Sequence, residues 1–458
     1  MHRKGWRANC KPARDPARSR GPRRFSILAE TRPSPPDDRT ARPPRAATHT
    51  VRLLPAGAAP HAGLLIAARG FRGFGDGLVS LTLPAYLSVL GFGAFEIGAI
   101  TTATLFGSAC MTLLVGMVAH SFSGRFLLKT ASLLMAATGI AFVSVEAFWP
   151  LLLVAFVGTL NPSSGDVSVF LPLEQAELAH AVPDRERTSL FARYSLVGGL
   201  AAAFGALSAG LPDGLEHLFG IEALRALQGG FILYAGLGLV AFVLYRRIPR
   251  ETADIQVIPR QRLGKSRRIV FALAGLFSLD AFAGGLAVQS LIALWLFERY
   301  GLSLAAAGTI FFWSGLFAAF SFPVAVWLSR RIGLVNTMVF THLPANVFLL
   351  LVPFMPSLGW AIALLLARSA LSHMDIPTRT SYVMAVVSPG ERAAAASVTA
   401  VPRSLASAVG PLIAGSALAA SSFGWPLVAC GALKIVYDIL LLAMFRKVRP
   451  PEEAPRSG

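Results

Sequence analysis

Residues 172–210 read PLEQAELAHAVPDRERTSLFARYSLVGGLAAAFGALSAG, and residues 377–415, 205 positions further on, read PTRTSYVMAVVSPGERAAAASVTAVPRSLASAVGPLIAG. Laid over one another without a gap, they agree at Pro172 and Pro377, Glu186 and Glu391, Arg187 and Arg392, Leu200 and Leu405, and Ala201 and Ala406. They agree again at Ala203 and Ala408, Gly205 and Gly410, Leu207 and Leu412, Ala209 and Ala414, and Gly210 and Gly415. Each copy has one plan: an apolar helix with polar interruptions, a short charged loop closing on Glu-Arg, then a helix rich in glycine and alanine. A stretch repeated in one register marks two parallel halves, and parallel halves built of several hydrophobic helices are an architecture of secondary transporters.

Composition agrees with that class. The 458 residues are 54% hydrophobic and only 14% charged, with mean hydropathy +0.59. Soluble domains carry about 25% charged residues, so this is the composition of a membrane protein. The three cysteines are too few for a disulfide framework, and Cys110 and Cys430 lie inside apolar runs as packed thiols. Residues 1–60 differ from everything after them: they hold 14 of the Lys and Arg residues against 4 acids, and Pro33, Pro35, Pro36, Pro43 and Pro44. This basic, proline-rich tail is expected to be disordered, as a solvated extension, an upstream stretch or an arm on anionic lipid.

Beyond the tail, apolar runs alternate with short polar punctuation. A hydrocarbon core of about 30 Å needs roughly 20 helical residues. That length gives spans near 62–90, 96–119, 127–146, 150–180, 189–211, 228–245, 269–297, 303–328, 333–354, 359–386, 393–420 and 425–445. The expected protein is therefore an all-α integral membrane protein of twelve transmembrane helices, six on each side of one long loop. Its parts are a bundle over 61–245, a basic linker over 246–268, a second bundle over 269–446 and a tail over 447–458. With both termini inside, the inner loops collect eighteen Lys and Arg residues, the linker alone supplying eight, whereas the outer loops offer only Arg225 and Arg299. This positive-inside bias puts both termini in the cytoplasm. The richness in Ala, Arg and Gly fits a GC-rich bacterial genome and hence an inner plasma membrane.

On these residues the chain resembles the major facilitator superfamily (MFS) over about 62–446. The likeness is carried by the 6+6 arrangement, the parallel repeat, the charged loop after the second span, and the helix signatures Gly198, Gly205, Gly210 and Gly410-Pro411 through Gly415. The family's loop pattern is G-x-x-x-D-x-x-G-R; here it is represented by Gly116, His120, Gly124 and Arg125, with histidine in place of aspartate and the second glycine one residue late. The resemblance implies two pseudo-symmetric six-helix bundles that alternate access to a central cavity lined by spans 1, 4, 7 and 10. Gly410-Pro411-x-x-x-Gly415 looks like the superfamily's antiporter motif, but it stands in span 11 instead of span 5, and close packing of small residues between spans 5 and 11 is the favoured explanation, which needs no transport direction.

Ionisable residues within spans are costly and point to a pathway. At about 1.5 Å per residue, Asp76 lies roughly 21 Å from the inner end of span 1 and Asp280 about 16 Å into span 7, with Asp166 and Asp375 at similar depth in spans 4 and 10. These four acids are the candidate proton and substrate pathway, because burial raises a carboxyl pKa enough for it to exchange protons as the cavity changes sides. Arg368 is expected either to hold an anionic substrate or to pair with Asp280 or Asp375. Asn161, in the helix-interrupting run Asn161-Pro162-Ser163-Ser164-Gly165, and Gln289 are neutral pocket candidates; Trp313 is either a pocket or a core residue. Glu174, Glu177, Glu186, Arg187, Arg193, Arg379, Glu391 and Arg392 read as an ion-pair network at the cytoplasmic gate. Lys434 and Asp438, four residues apart, are expected to neutralise each other, and Arg69 and Arg72 to snorkel toward headgroups.

No P-loop, H-E-x-x-H or C-x-x-C motif occurs, so an enzyme is not expected. Gly70–Gly77 lacks the strand–helix alternation of a dinucleotide site. The basic tail has no folded module to read bases, so nucleic acid is not an expected partner. The reading that remains is a secondary transporter of a small organic solute, functional as a monomer among membrane lipids, with no cofactor and the proton gradient as energy source. It runs as efflux or, alternatively, as uptake of an organic anion. A non-transporting sensor or partner subunit on the same fold is the reading from a different class.

Overall fold

A computed structural model describes residue 54 and residues 58–118, 121–163, 168–182, 184–249, 264, 266–388 and 391–446; the side chains of 179–180, 184–189, 377, 392 and 393 also fall outside the description. The described residues form helices joined by short turns. In the first half these are α1 (His61–Val89), α2 (Ala94–Val118), α3 (Gly124–Ser144), α4 (Phe148–Val157), α5 (Phe170–His180), α6 (Asp184–Ser208), α7 (Leu211–Phe219) and α8 (Ala223–Arg246). In the second half they are α9 (Arg267–Leu286), α10 (Gln289–Tyr300), α11 (Leu304–Ile332), α12 (Leu334–Leu351), a short 3-10 turn (Val352–Phe354), α13 (Leu358–Ser372), α14 (Asp375–Val386), α15 (Arg392–Ala420) and α16 (Trp425–Phe445). Residues 1–53 of the tail, most of the linker and residues 447–458 lie outside the described residues.

These helices are consistent with the twelve expected spans, three of which are broken in two, and α7 is a short helix beyond the fifth. Among the described residues, nine stretches are long and apolar enough to cross a membrane. The other three spans are α1, diluted by Arg69, Arg72, Asp76 and its glycines, and the divided pairs α4/α5 and α13/α14. The fourth span breaks where the sequence said it would, α4 ending at Val157 and helix resuming at Phe170. The tenth breaks more gently, at His373 and Met374. The seventh was expected to run unbroken over 269–297 and does not: it parts at Ala287 and Val288, where Gly285 lies so close to α15 that a Cβ would strike the Ser407 carbonyl.

Helix ends and hydroxyls are satisfied locally, as an apolar surrounding requires. Ser123 and Ser303 accept from Phe126 N and Ala306 N at 3.3 and 3.2 Å, capping α3 and α11. Thr101, Thr104 and Ser132 turn their hydroxyls back onto carbonyls one turn earlier in their own helices. Many large apolar side chains are exposed, among them Leu114, Trp149, Leu153, Phe320 and Trp360, which is a surface lipid accepts.

The halves meet toward one end. Gly98 of α2 packs on Pro411 and Gly415 of α15, and Gly210 and Gly308 bring α6 against the start of α11. Asp213 of α7 accepts from Ala305 N at the start of α11, at 2.8 Å. Gln289 donates to Ser80 Oγ at 2.9 Å, and Ser290 N to the Pro162 carbonyl at 3.2 Å, so the breaks in the fourth and seventh spans touch across the halves. These contacts favour the end at which α1 finishes, the far side. At the base, where α1 begins, α5 packs on α1, α3 and α6, and α14 on α11, α12 and α15, each within its own half.

Candidate functional site

Two buried polar clusters occupy the middle of the molecule, one in each half. In the first, Arg72 of α1 is 1% exposed and donates to Glu174 of α5. The same carboxylate accepts from the hydroxyls of Tyr194 on α6 and Tyr245 on α8, the latter at 2.5 Å, while Arg72 Nε donates to Tyr245 Oη at 3.2 Å. The Arg72 guanidinium lies 4.1 Å over the Phe170 ring, and that of Arg69 5.4 Å over Tyr194. Four helices are thereby tied to one carboxylate, which a buried charge requires. Asp76, one turn along α1 and 7% exposed, is hydrogen-bonded with Asn161 from the break between α4 and α5. Asn161 Oδ1 also accepts from Ser163 Oγ at 2.8 Å.

The second cluster is more extended. Asp280 of α9, 4% exposed, accepts from Lys434 of α16 at 2.5 Å on Oδ1 and from Arg379 of α14 at 3.2 Å on Oδ2. Arg379 is shared with Asp375, one turn earlier on α14, at 3.3 Å. His342 of α12 sits between two carboxylates, with Nδ1 2.9 Å from Asp438 Oδ1 and Nε2 3.9 Å from Asp280 Oδ1. Asn346 donates to Asp438 Oδ2 at 2.9 Å. The Tyr437 ring stands edge-on to the imidazole, with centroids 5.9 Å apart.

The description of known families and structures agrees with this frame. The model of the Major Facilitator Superfamily matches residues 65–374, more than half of the chain. The chain belongs to the major facilitator superfamily. It is 25% identical over 405 residues to the uncharacterized membrane protein YJR124C of Saccharomyces cerevisiae, covering 81% of this chain and 90% of that one. Among solved structures it is similar to a point mutant of the nucleoside transporter NupG, with TM-score 0.67 at 15% identity over 84% of this chain and 100% of that chain. It is similar also to a bacterial homolog of the human lysosomal transporter Spinster in an inward-facing and occupied conformation, with TM-score 0.66 at 16% identity over 84% of this chain and 96% of that chain. At that identity the likeness is one of fold. A multi-pass membrane transporter of the MFS type is what these comparisons establish.

Within this MFS frame the described candidates separate clearly. Asp76, Asp280 and Asp375 are all buried within the protein, away from lipid; Asp166 and His120 lie outside the described residues, as do the side chains of Glu186, Arg187 and Arg392. Gln289 and Asn161 both stand at helix breaks, one bonded across the halves and the other to Asp76. In the loop after α2, Gly124 lies against the Glu177 carboxylate, where a Cβ would collide, and Arg125 donates to the Arg246 carbonyl at the end of α8. Around Gly116 there is open space. A carboxylate thus does reach this loop, from α5 and not from the loop itself. Glu391 accepts from Gly264 N and, at 2.9 Å, from Ser388 Oγ.

Five expectations are corrected by the packing. Arg72 does not snorkel, because Glu174 and Tyr245 meet it inside the bundle, and Arg69 is likewise buried. Glu174 and Arg379 were expected in a base-side gate; each is instead bound inside its own half. Arg193 is half-buried on α6, the same helix as Tyr194. Lys434 and Asp438 do not neutralise each other: Lys434 reaches Asp280 and Asp438 turns to His342 and Asn346, since the helices packed on α16 offer better-placed partners than its own next turn. Arg368 meets neither Asp280 nor Asp375, which Lys434 and Arg379 already hold. Trp313 is 45% exposed beside Phe312 and Phe317 and is therefore not a core residue. His342 and Asn346 were not singled out by sequence; their spacing of four on one face of an apolar helix was the available signal.

Proposed function

We propose that this MFS protein exports a small organic solute in exchange for protons, by alternating access between its halves. The observation that carries the reading is Asp76: a buried carboxylate midway along α1, bonded to the neutral Asn161 while the neighbouring Arg72 is committed to Glu174. A carboxylate so placed can take a proton without breaking a salt bridge, which is what a carrier group requires. Asn161 sits in the break that touches α10 through Pro162 and Ser290, so a change of charge at Asp76 acts where the halves meet. Export is the proposed direction because Gly410-Pro411-x-x-x-Gly415 resembles an antiporter motif; with the halves joined at the far side, the base, expected to face the cytoplasm, is the side left open to solute.

The test is transport by the purified chain in liposomes against a chemically diverse solute panel under an imposed pH gradient. Gradient-driven movement that Asp76→Asn abolishes while solute exchange persists is the expected result. Transport indifferent to the gradient would defeat proton coupling, an Asp76→Asn protein that keeps gradient-driven transport would remove Asp76 from the pathway, and a wild-type chain that moves no solute of the panel would favour the sensor reading.

A second reading, uptake of an organic anion, is favoured by Arg368. Its guanidinium Nε is buried without a hydrogen-bond partner. A cation left without its own anion is a place for one on a substrate. Gradient-driven uptake confined to the anionic members of the panel, and lost in Arg368→Gln, would establish this reading over export.

A further inference from the structure

We infer that His342 is a proton-binding residue of the second half, switching between imidazole and imidazolium between Asp280 and Asp438. The inference extends the proton-coupled reading above to a residue on α12. The buried cluster around it holds three carboxylates, Asp280, Asp375 and Asp438, and two permanent cations in contact with them, Lys434 and Arg379. In a dehydrated interior an odd carboxylate is costly. The third cation is supplied when His342, in reach of two of those carboxylates, takes a proton.

The geometry assigns the two ring nitrogens. Nδ1 lies 2.9 Å from Asp438 Oδ1 and 3.0 Å from the Asn346 amide nitrogen, which also donates to the other oxygen of that carboxylate; the anionic oxygen is the stronger partner, so Nδ1 carries a hydrogen that it donates to Asp438. In the neutral ring the lone pair is then on Nε2, directed at Asp280 Oδ1 at 3.9 Å, acceptor toward acceptor. One proton from water bonding to Nε2 turns that repulsion into attraction, with no other reactant consumed. Asp280 Oδ1 also holds Lys434, and its Oδ2 holds Arg379 just past the break between α13 and α14. An imidazolium competes with Lys434 for the shared oxygen, so the proton is felt by α9, α12, α14 and α16 together.

Asp280, Asp438 and Tyr437 stand against His342, and the elements around it carry further titratable or charged groups. Lys434, Tyr437 and Asp438 come from α16, Asp280 from α9, and Asp375, Arg379 and the buried Tyr382 from α14. From α13 comes Arg368, near Cys430 of α16. The ionisable residues of α11 are Arg330 and Arg331, both in its last turn.

The test is nitrogen NMR of the purified full-length chain labelled at histidine, titrated from pH 5 to 9 with no solute added. The signal missing in His342→Gln should change from imidazolium to the tautomer with its hydrogen on Nδ1, within that range. In Asp438→Asn, which keeps the ring but removes the carboxylate, the pH at which the signal changes should differ from that of the wild type. A His342 signal fixed in either charge state throughout, or a midpoint indifferent to Asp438→Asn, overturns the inference. Where His342→Gln does not fold, the shift in Asp438→Asn identifies the signal and decides alone. Because the readout is the proton and not solute movement, the site stands even if liposome transport proves independent of pH.

Discussion

Glu174 and Arg379 occupy the same position of the repeated stretch, 205 residues apart, and hold ion pairs of opposite polarity with the first helix of their own halves. Glu174 accepts from Arg72 of α1; Arg379 donates to Asp280 of α9. The aromatic neighbours follow the same exchange, with Arg72 over Phe170 and Arg379 over Phe277. Duplication kept the cross-brace between the first and fourth spans of each half and reversed its sign. In the first half the brace is closed by two tyrosines; in the second it opens into a chain of further ionisable groups. The two braces are thus alike in place and unlike in use.

The first-half brace should behave as structure. Glu174→Gln leaves Arg72 buried beside a neutral partner and should destabilise the protein by about 3–5 kcal/mol, the usual effect of breaking a buried pair. Replacing both residues by methionine should recover most of that loss, since neither charge is then buried. Thermal unfolding followed by size-exclusion chromatography in detergent checks it; equal damage in the single and double variants would mean that the pair does more than satisfy itself.

Asp76 and Asp280 should part company when neutralised. Asp76→Asn keeps a hydrogen-bonding partner for Asn161 and removes the attraction of Arg72 and Arg69, neither of which is in ion-pair contact with it, so it should lower thermal stability only slightly. Asp280→Asn removes the acceptor shared by Lys434 and Arg379 and should lower stability markedly. Adding Lys434→Met to Asp280→Asn should restore part of it. If the two single variants unfold alike, the roles assigned to the two clusters fail.

The far-side contact depends on the absence of side chains. A Cβ on Gly98 would stand 2.6 Å from the Pro411 carbonyl oxygen and 2.8 Å from Gly415 Cα, so no rotamer change relieves it. The glycine-proline segment that resembles an antiporter motif serves here as the surface on which α2 rests. Gly98→Val should therefore prise the halves apart at this end while each half stays folded. A cysteine introduced as Ser80→Cys, in a chain without other reactive thiols, should be labelled several-fold faster from the far side in that variant. Unchanged labelling would show that the contact does not govern closure.

The fold was legible because its determinants are local or periodic: the length of apolar runs, the repeat, and helix breakers such as Asn161-Pro162. The break between α9 and α10 was not, since Ala287 and Val288 are ordinary helix residues and the break lies beside a close approach of α15 to Gly285 that only the fold brings about. Buried acids could be found by type alone, but their partners could not. Lys434 and Asp438 have ideal spacing for each other, and interhelical contacts prevailed over it. His342 passed unnoticed because one histidine in an apolar helix has meaning only when α9 and α16 bring a carboxylate to each side.

The linker's end should come free of α15 in acid. Glu391 lies outside the spans, in the loop before α15, and hydrogen bonds from the Ser266 side chain, then Gly264 N–H, then Ser388 hold its carboxyl below the usual carboxylate range. A carboxyl depressed in the folded state stabilises it at pH above the unfolded value, and the contribution is lost as pH falls through the folded value. Near neutrality this clasp should therefore be complete, and it should loosen only below the ordinary glutamate range around pH 4. Glu391→Gln should abolish the acid step and leave the segment loosened at every pH. Hydrogen exchange over residues 264–268, corrected for the intrinsic effect of pH, reads this directly. A wild-type segment whose protection is the same on both sides of that range, or a Glu391→Gln protein as protected as the wild type at pH 7, would show that the carboxylate does not hold the linker.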